Sequence, residues 1–172
     1  LEDLVKKGEI PEEAIDLAVR RILRVKFRLG LFEKPYIEEL PDEQRYLSIE
    51  ARAAARELAA ESMVLLKNSG ATLPVAGDVR RIALMGPMAD NRADLMGSWW
   101  GQGEAGDVVT ILEGVKAEFA GKARIDYVKG CDFDGEDRSE FARAAAAARA
   151  ADLVVLCVGE KRGWSGENAS RA

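Results

Sequence analysis

Apolar positions recur every three to four residues in two stretches of the first third of the chain, and this spacing predicts two helices. The first runs from Pro11 to Leu29, because a proline suits the first helical position and Gly30 suits the residue after the end. Its apolar stripe is broad for a short helix, so we expect it to pack against something else. The second helix runs from Ser48, its expected N-cap, to Glu61.

In the second half of the chain, short continuous apolar runs alternate with helical segments. The runs predict strands at Arg81–Met85, Ala123–Val128 and Leu153–Val158, and the segments between them predict helices at Thr110–Phe119 and Ser139–Ala150. This alternation is typical of βαβ units, so we predict an α/β fold with a mainly parallel sheet and flanking helices. The uninterrupted last run predicts a strand that is covered on both faces.

Two further stretches connect these elements. Leu31–Arg45 contains Pro35, Pro41 and many charges, which predicts a linker. Met63–Lys67 is a short apolar run that predicts a strand, with a continued helix as the alternative. Asn68–Gly70 then predicts a turn.

Composition and charge exclude several classes of function. The chain has 172 residues and a net charge of −5, which disfavours broad nucleic-acid binding. No apolar run approaches the roughly 18 residues of a membrane span. His is absent, so acid–base chemistry would fall to carboxylates, Lys, Tyr or Cys. The sequence begins at Leu1 without Met and stops at Ala172 directly after a polar loop, so we expect it to be a piece of a longer protein.

The two cysteines, Cys131 and Cys157, are not spaced as a metal or redox motif. Cys157 lies inside the last apolar run and is predicted to be a small buried hydrophobic residue. A disulfide between the two cysteines stays open from the sequence.

The polar loop after the last predicted strand contains Glu160, Trp164 and Glu167. Ligands of open α/β sheets bind beyond the carboxyl ends of the strands, so this loop lies where chemistry is expected. A glycosidase needs one carboxylic acid to protonate the leaving oxygen and a second carboxylate at the anomeric carbon. A nearby tryptophan can stack on a sugar ring. The alternative is that these charges are simply solvated.

A second loop, Gly97–Gly103, contains the adjacent pair Trp99 and Trp100. Adjacent tryptophans between glycines point to ligand contact, and packing on the sheet and on a helix is the alternative. Gly86–Asp90 also follows a strand, but it lacks the spacing of a phosphate-binding loop and predicts a tight turn.

Four segments that keep their order along almost the whole chain resemble glycoside hydrolase family 3, and most nearly its bacterial β-glucosidases of the periplasmic type. They are Glu61–Asn68, Gly86–Asp90, Gly97–Trp99 and Gly159–Arg171. The resemblance implies that residues 1–30 are the last helix of a (β/α)8-like barrel domain. It implies that residues 31–70 are an interdomain linker with a connecting helix, and that residues 71–172 are the first part of an α/β sandwich domain.

The resemblance also implies a function, that of a retaining exo-acting β-glucosidase acting on terminal non-reducing β-D-glucosyl residues. The acid/base would be Glu167, with Glu160 as the competing assignment or as support for the loop. The family's nucleophile is an Asp in a Ser-Asp-Trp-like motif of the barrel. That motif does not occur in this sequence, so the isolated chain is expected to be inactive. Trp99, Trp100 and Trp164 would contact the sugar.

The resemblance implies no metal and no organic cofactor. The implied partners are a β-glucoside or β-linked gluco-oligosaccharide, the barrel domain of the same protein and, as an open choice, a second copy in a homodimer. It suggests a periplasmic or secreted protein, and the cytoplasm stays open. The first rival function is a non-catalytic carbohydrate-binding α/β module that uses the tryptophans as platforms. A nucleotide or phosphate module is disfavoured because the phosphate loop is missing.

Overall fold

The computed structural model describes residues 1–39, 41, 46–167 and 169, and the chain divides into two compact units, Leu1–Leu66 and Lys67–Ala172. Part of the predicted linker (residues 40 and 42–45) lies outside the described residues. So do Asn168, Ser170 and Arg171 of the last family-like segment.

The first unit is helical. It contains α1 (Glu2–Lys6), α2 (Glu12–Arg28) and α3 (Ile49–Glu61). The two helices predicted from periodicity, α2 and α3, are confirmed to within one residue. Ser48 caps α3, because its hydroxyl oxygen accepts a hydrogen bond from the Ala51 N–H at 3.2 Å. The apolar stripe of α2 is largely exposed, with Ile22 at 60%.

The prediction of a strand at Met63–Lys67 was wrong, and so was the alternative of a continued helix. The chain leaves α3 after Glu61 and runs as irregular backbone, with Leu66 92% exposed. An apolar run becomes a strand only where a neighbouring strand accepts its backbone hydrogen bonds. Among the described residues none pairs with this run. The turn predicted next is present, with Asn68 hydrogen-bonded through its side chain to both backbone groups of Leu73.

The second unit is an α/β layer structure. Its α-helices and strands in chain order are β1 (Arg81–Met85), α4 (Arg92–Leu95), α5 (Ile111–Glu118), β2 (Arg124–Val128), α6 (Phe141–Arg149) and β3 (Leu153–Leu156). The three strands are parallel in the order β2-β1-β3. In β1, Arg81 lies opposite Arg124 of β2, and Ile82 lies opposite Leu153 of β3. The predicted α/β fold with a parallel sheet is therefore confirmed.

The core is built around the central strand. Ile82, Ala83 and Leu84 of β1 are fully buried, because β1 has a strand on each side and helices that pack on the sheet. Leu84 belongs to a buried cluster with Ala89, Leu112 and Cys157. Both cysteines are free, and Cys157 is buried as predicted. Burial raises the pKa of its thiol, which keeps it protonated and unreactive.

The prediction that the last strand is covered on both faces was wrong. β3 ends at Leu156, two residues earlier than predicted, and it lies at one edge of the sheet. Val155 packs against the core cluster, whereas Val154 and Leu156 are 45% and 62% exposed. A run of aliphatic residues does not reveal which of its two faces is covered, because both faces are apolar.

Three polar side chains lie where two elements of this unit begin. Thr110 and Glu113 form a capping box at the start of α5, each side chain accepting a hydrogen bond from the other residue's N–H. Asp152 precedes β3, and its carboxylate accepts the N–H groups of Arg80 and Arg81 at 2.9 and 2.8 Å. No helix among the described residues has the length and apolar character to cross a membrane.

Candidate functional site

The loops that follow the three parallel strands share the carboxyl edge of the sheet, where α/β proteins bind ligands. We call them the β1 loop (residues 86–109), the β2 loop (residues 129–140) and the β3 loop (residues 157–167). The β1 loop contains the tryptophan pair, and the β3 loop contains both candidate glutamates. All five predicted site residues therefore lie on two loops at one edge.

The tight turn predicted after β1 is present at Gly86, and it joins all three loops. The Gly86 N–H donates to the carbonyl oxygen of Lys129, the first residue of the β2 loop, at 3.0 Å. Two residues later the Met88 N–H donates to the carbonyl oxygen of Cys157, the first residue of the β3 loop, at 3.2 Å. These backbone bonds fix the starting points of the loops relative to one another.

Asp94 connects the β1 loop to the β3 loop. Its Oδ1 accepts a hydrogen bond from the backbone N–H of Arg162 at 3.0 Å. The same carboxylate is held on its other oxygen by the side-chain amide of Asn91 at 2.8 Å, and the Asn91 oxygen accepts the Asp94 N–H at 2.9 Å. Contacts within the β1 loop therefore fix the orientation of the Asp94 carboxylate.

Ser98 makes a second connection between the same loops. Its hydroxyl donates to the carbonyl oxygen of Arg162 at 2.9 Å and lies 3.0 Å from the hydroxyl of Ser165. A hydroxyl has one proton, so when Ser98 donates to Arg162, Ser165 must be the donor to Ser98. Two β3-loop residues are thus held by one serine of the β1 loop.

The two tryptophans of the β1 loop differ in their surroundings. The Arg162 guanidinium lies over the ring of Trp100, 4.9 Å from its centre, in a cation–π contact. Trp100 is 44% exposed, whereas Trp99 is 74% exposed. The structure brings Trp100 into contact with the β3 loop and leaves most of Trp99 open to a ligand.

Arg92 anchors the far end of the tryptophan-bearing segment. Its guanidinium donates to the carbonyl oxygens of Val108 and Gly106, the latter at 3.3 Å, and it pairs with the carboxylate of Glu113 in α5. The Arg92 side chain therefore ties the start of this segment to its end near Val108 and to α5.

Trp164 faces the β2 loop. Its ring meets that of Phe133 edge-on, with 6.2 Å between the centres. The ammonium group of Lys161 lies 5.6 Å from the Trp164 ring centre and pairs with both carboxylate oxygens of Asp134 at 3.1 Å. This packing gives Trp164 a role in joining two loops, and its contact with a sugar stays a prediction.

Both candidate glutamates lie in the β3 loop and are exposed. Glu160 comes four residues after the end of β3, and Glu167 lies at the turn in which Gly166 and Ala169 form an isolated antiparallel bridge. Arg162, whose backbone is hydrogen-bonded by Asp94 and Ser98, lies between the two glutamates in the chain. Within the described residues, no three Cys, Asp or Glu side chains group as metal ligands.

A surface depression of about 700 Å³ lies away from this edge. It is lined by residues that flank the start of β1 and the end of α5, among them Val75, Arg80, Phe119 and Lys122. It contains none of the predicted site residues, and its position at the amino ends of the strands does not suit ligand binding in this fold class.

Sequence reasoning missed the residues that connect the loops, Asp94 and Ser98 above all. A local signal existed, because Asn91 followed three residues later by Asp94 is typical of a side-chain-capped helix start. Their partner on the β3 loop is 64 to 68 residues away, and such a pairing has no signature in a single sequence.

Comparisons with known proteins agree on one family. Residues 63–172 match the model of the glycosyl hydrolase family 3 C-terminal domain. The chain is 37% identical to the periplasmic β-glucosidase of Salmonella typhimurium, in an alignment that covers 99% of this chain and 26% of that protein. It is 33% identical to a β-xylosidase of Formosa agariphila, with 100% and 24% covered.

Solved structures give the same result. A mutant β-glucosidase from Listeria innocua in complex with laminaribiose matches with a TM-score of 0.85 at 34% identity, over 97% of this chain and 22% of that one. The structure of the β-glucosidase from that organism with glucose matches with a TM-score of 0.81, over 96% of this chain and 22% of that one. The chain thus spans about a quarter of the length of the relatives that it matches.

Proposed function

The chain belongs to glycosyl hydrolase family 3, and from this we propose that it is part of a retaining exo-acting β-glucosidase. The substrates are oligosaccharides or glucosides with a terminal non-reducing β-D-glucosyl residue. The names of the relatives support this choice, because they include β-glucosidases solved with glucose and with laminaribiose. A β-glucosidase also has the higher identity of the two curated relatives described above.

One observation supports a catalytic role most strongly. The loop that carries Glu160 and Glu167 is clamped through Arg162 to the loop that carries Trp99 and Trp100. Carboxylates and aromatic rings are the two residue classes that glycoside hydrolysis uses, for proton transfer and for sugar stacking. These contacts hold the loop with the glutamates beside the loop with the tryptophans, which supports a joint role for them.

In the proposed mechanism Glu167 is the acid/base. It protonates the departing glycosidic oxygen while a carboxylate elsewhere in the protein attacks the anomeric carbon. It then takes a proton from the water that hydrolyses the covalent intermediate. Glu160 supports the loop or contacts substrate. Trp99, which is the more exposed of the pair, stacks on the sugar.

The test uses the full-length protein, because the nucleophile is not on this chain. An acid is needed for a poor leaving group but hardly for an activated aryl group, so Glu167→Ala should slow the glycosylation step far more on a disaccharide than on a nitrophenyl glucoside. The expected loss on the disaccharide is about 10²- to 10⁴-fold. Glu160→Ala is the matched control and should show no such dependence.

Azide gives a second, independent measurement. It attacks the covalent intermediate without needing a base, so it should restore turnover of activated substrates by Glu167→Ala and yield a β-glucosyl azide. Azide rescue of Glu160→Ala but not of Glu167→Ala would exchange the two roles. Rescue of neither would place the acid/base outside this chain.

The exposed ring of Trp99 favours one alternative, a non-catalytic carbohydrate-binding module. Such a module binds sugars without turnover, so a full-length protein that binds β-glucosides and never hydrolyses them would support it.

For the compartment, the periplasmic Salmonella relative supports the proposal that this protein is periplasmic or secreted.

A further inference from the structure

We propose that Asp94 is a positioning residue, which holds the β3 loop in the conformation that allows Glu167 to transfer protons. This inference rests on the proposed role of Glu167. Ser98, which also belongs to the β1 loop, assists Asp94 through a second bond to Arg162. Neither residue touches the sugar in this proposal, because both act through the backbone of Arg162.

The first argument is the directed contact of the Asp94 carboxylate. Its Oδ1 accepts the Arg162 N–H at 3.0 Å, and its Oδ2 accepts the Asn91 side-chain amide at 2.8 Å. A carboxylate offers only acceptors, and hydrogen bonds to a charged acceptor are stronger than neutral ones. Asn91 also accepts the Asp94 N–H. Asp94 is thus a preoriented charged acceptor for one N–H on a distant loop.

The second argument is that Arg162 is held at both of its backbone polar groups. Asp94 binds the N–H, and the Ser98 hydroxyl binds the carbonyl oxygen at 2.9 Å. Ser98 also meets the hydroxyl of Ser165 at 3.0 Å, two residues before Glu167 in the chain. These two groups belong to the peptide units on either side of the Arg162 Cα, so neither unit can rotate without breaking a hydrogen bond.

The third argument is that the β3 loop needs external contacts in order to hold one shape. Gly163 and Gly166 lie between Arg162 and Glu167, and Gly166 adopts a φ of +124°, which L side chains rarely adopt. Glycines leave the free chain more conformations to lose, so the loop's own sequence specifies its shape weakly. A displacement of about 1 Å at a catalytic group can lower a rate by roughly 10²-fold.

The fourth argument separates positioning from folding. Asp94 lies outside the buried cluster of Leu84, Ala89, Leu112 and Cys157. It is itself only partly buried. The hydrogen bond from the Arg162 N–H to its carboxylate is likewise only part-buried, so removing it should leave the core of the second unit intact while the loop loses its preferred shape.

The experiment compares variants of the full-length protein on laminaribiose and on a nitrophenyl β-glucoside. Asp94→Ala should lower kcat/KM, which reports the glycosylation step, about 10- to 100-fold on laminaribiose and much less on the activated glucoside, because only the first substrate needs the acid in that step. Asp94→Asn keeps an amide oxygen for the Arg162 N–H and should restore most of the loss. Glu118→Ala removes a carboxylate beside the amino ends of the strands and should match the parent.

A double-variant cycle tests the route of the effect. If Asp94 acts through the loop that carries Glu167, adding Asp94→Ala to Glu167→Ala should cause no further loss, because the group to be positioned is already gone. A loss that adds in full would overturn the proposal. So would an equal loss on both substrates.

The outcomes also distinguish this inference from the function on which it rests. If Glu167→Ala shows the leaving-group dependence and Asp94→Ala does not, only the positioning role fails. If Glu167→Ala shows no dependence, the proposed function itself fails. Should Asp94→Ala not fold, Ser98→Ala provides the test, with Asp94→Asn as the near-parent control. A parent-like rate and substrate ratio for Ser98→Ala would then overturn the proposal.

Discussion

The carbonyl oxygen of Cys157 occupies the place where a side chain at Gly86 would have to begin. A Cβ built on Gly86 would lie 2.1 Å from that oxygen and 2.7 Å from the carbonyl carbon. The φ of Gly86 is +103°. The backbone after β1 therefore approaches the backbone after β3 more closely than any residue other than glycine permits.

We expect Gly86→Ala to destabilise the second unit. The strained backbone alone should cost about 1–3 kcal/mol, and the clash with Cys157 adds to this, because its nearest atoms are backbone rather than a movable side chain. Urea denaturation followed by tryptophan fluorescence measures the change, since all three tryptophans lie in this unit.

Gly114→Ala in α5 is the control for Gly86→Ala. Its Cβ meets nothing, and a helical alanine should be neutral or stabilising. Equal midpoints for the two variants would contradict the expectation.

A pH dependence of stability should arise from Asp152. The N–H groups of Arg80 and Arg81 bind its carboxylate and hold the pKa of that carboxyl below its ordinary value. A pKa that is lower in the folded than in the unfolded state stabilises the fold fully above the unfolded value of about 3.9, and this stabilisation is lost as the pH falls through the folded value.

The measurement for Asp152 is a series of urea denaturations between neutral and strongly acidic pH. Asp152→Asn keeps an acceptor oxygen but not the charge, so it should be less stable than the parent near neutral pH. The gap should narrow below the unfolded pKa and close as the pH falls through the lower, folded pKa. Glu104→Gln, which also removes an exposed carboxylate, should follow the parent. A gap that stayed constant down to the lowest pH would exclude the charge as its cause.

The two adjacent tryptophans should differ in their effect on binding. Trp99 is the more exposed, whereas the ring of Trp100 is covered by the guanidinium of Arg162. In the full-length protein Trp99→Ala should raise KM for β-glucosides about 2- to 10-fold, the value of one stacking contact. Trp100→Ala should raise KM less. The assignment of Trp99 as sugar platform fails if the order is reversed or if neither variant changes KM.

The first 30 residues should be dispensable for the folding of the second unit. Residues 67–172 form their own compact unit with a buried core on β1. Deleting Leu1–Gly30 should therefore leave the urea midpoint reported by the tryptophans unchanged and the transition cooperative. Loss of that transition would show that the chain folds as one unit and would count against a separate identity for residues 1–30.

The elements with strong local signals could be predicted from the sequence. Periodicity and a capping serine predicted α3 to within one residue, and the β1 and β2 runs were found as short parallel strands. What could not be predicted was the environment of each apolar run. Met63–Lys67 and β3 are both aliphatic, yet the first has no strand beside it among the described residues and the second is covered on one face only. Which strand lies beside a run, and which of its faces is covered, depends on tertiary structure and cannot be found in a local sequence pattern.

The candidate site was predictable in its residue types but not in its connections. Two glutamates and a tryptophan after the last strand indicated a site, because the fold class places ligands there. The contact between Asp94 and Arg162 joins residues 68 positions apart and depends on the order of the strands. In the order β2-β1-β3, β1 lies beside β3, which is not the next strand in the sequence. The contact could therefore be found only from the fold.

The edge position of β3 has a consequence for handling this polypeptide. Its Leu-Val-Val-Leu run presents exposed Val154 and Leu156, and Val158 just beyond the strand is 67% exposed. A short aliphatic strand at a sheet edge, without charge or proline to interrupt it, is a template for pairing with another chain. Concentrated solutions of this chain alone should therefore self-associate through β3 into aggregates. A lysine in place of Val154 would act as a gatekeeper against such association.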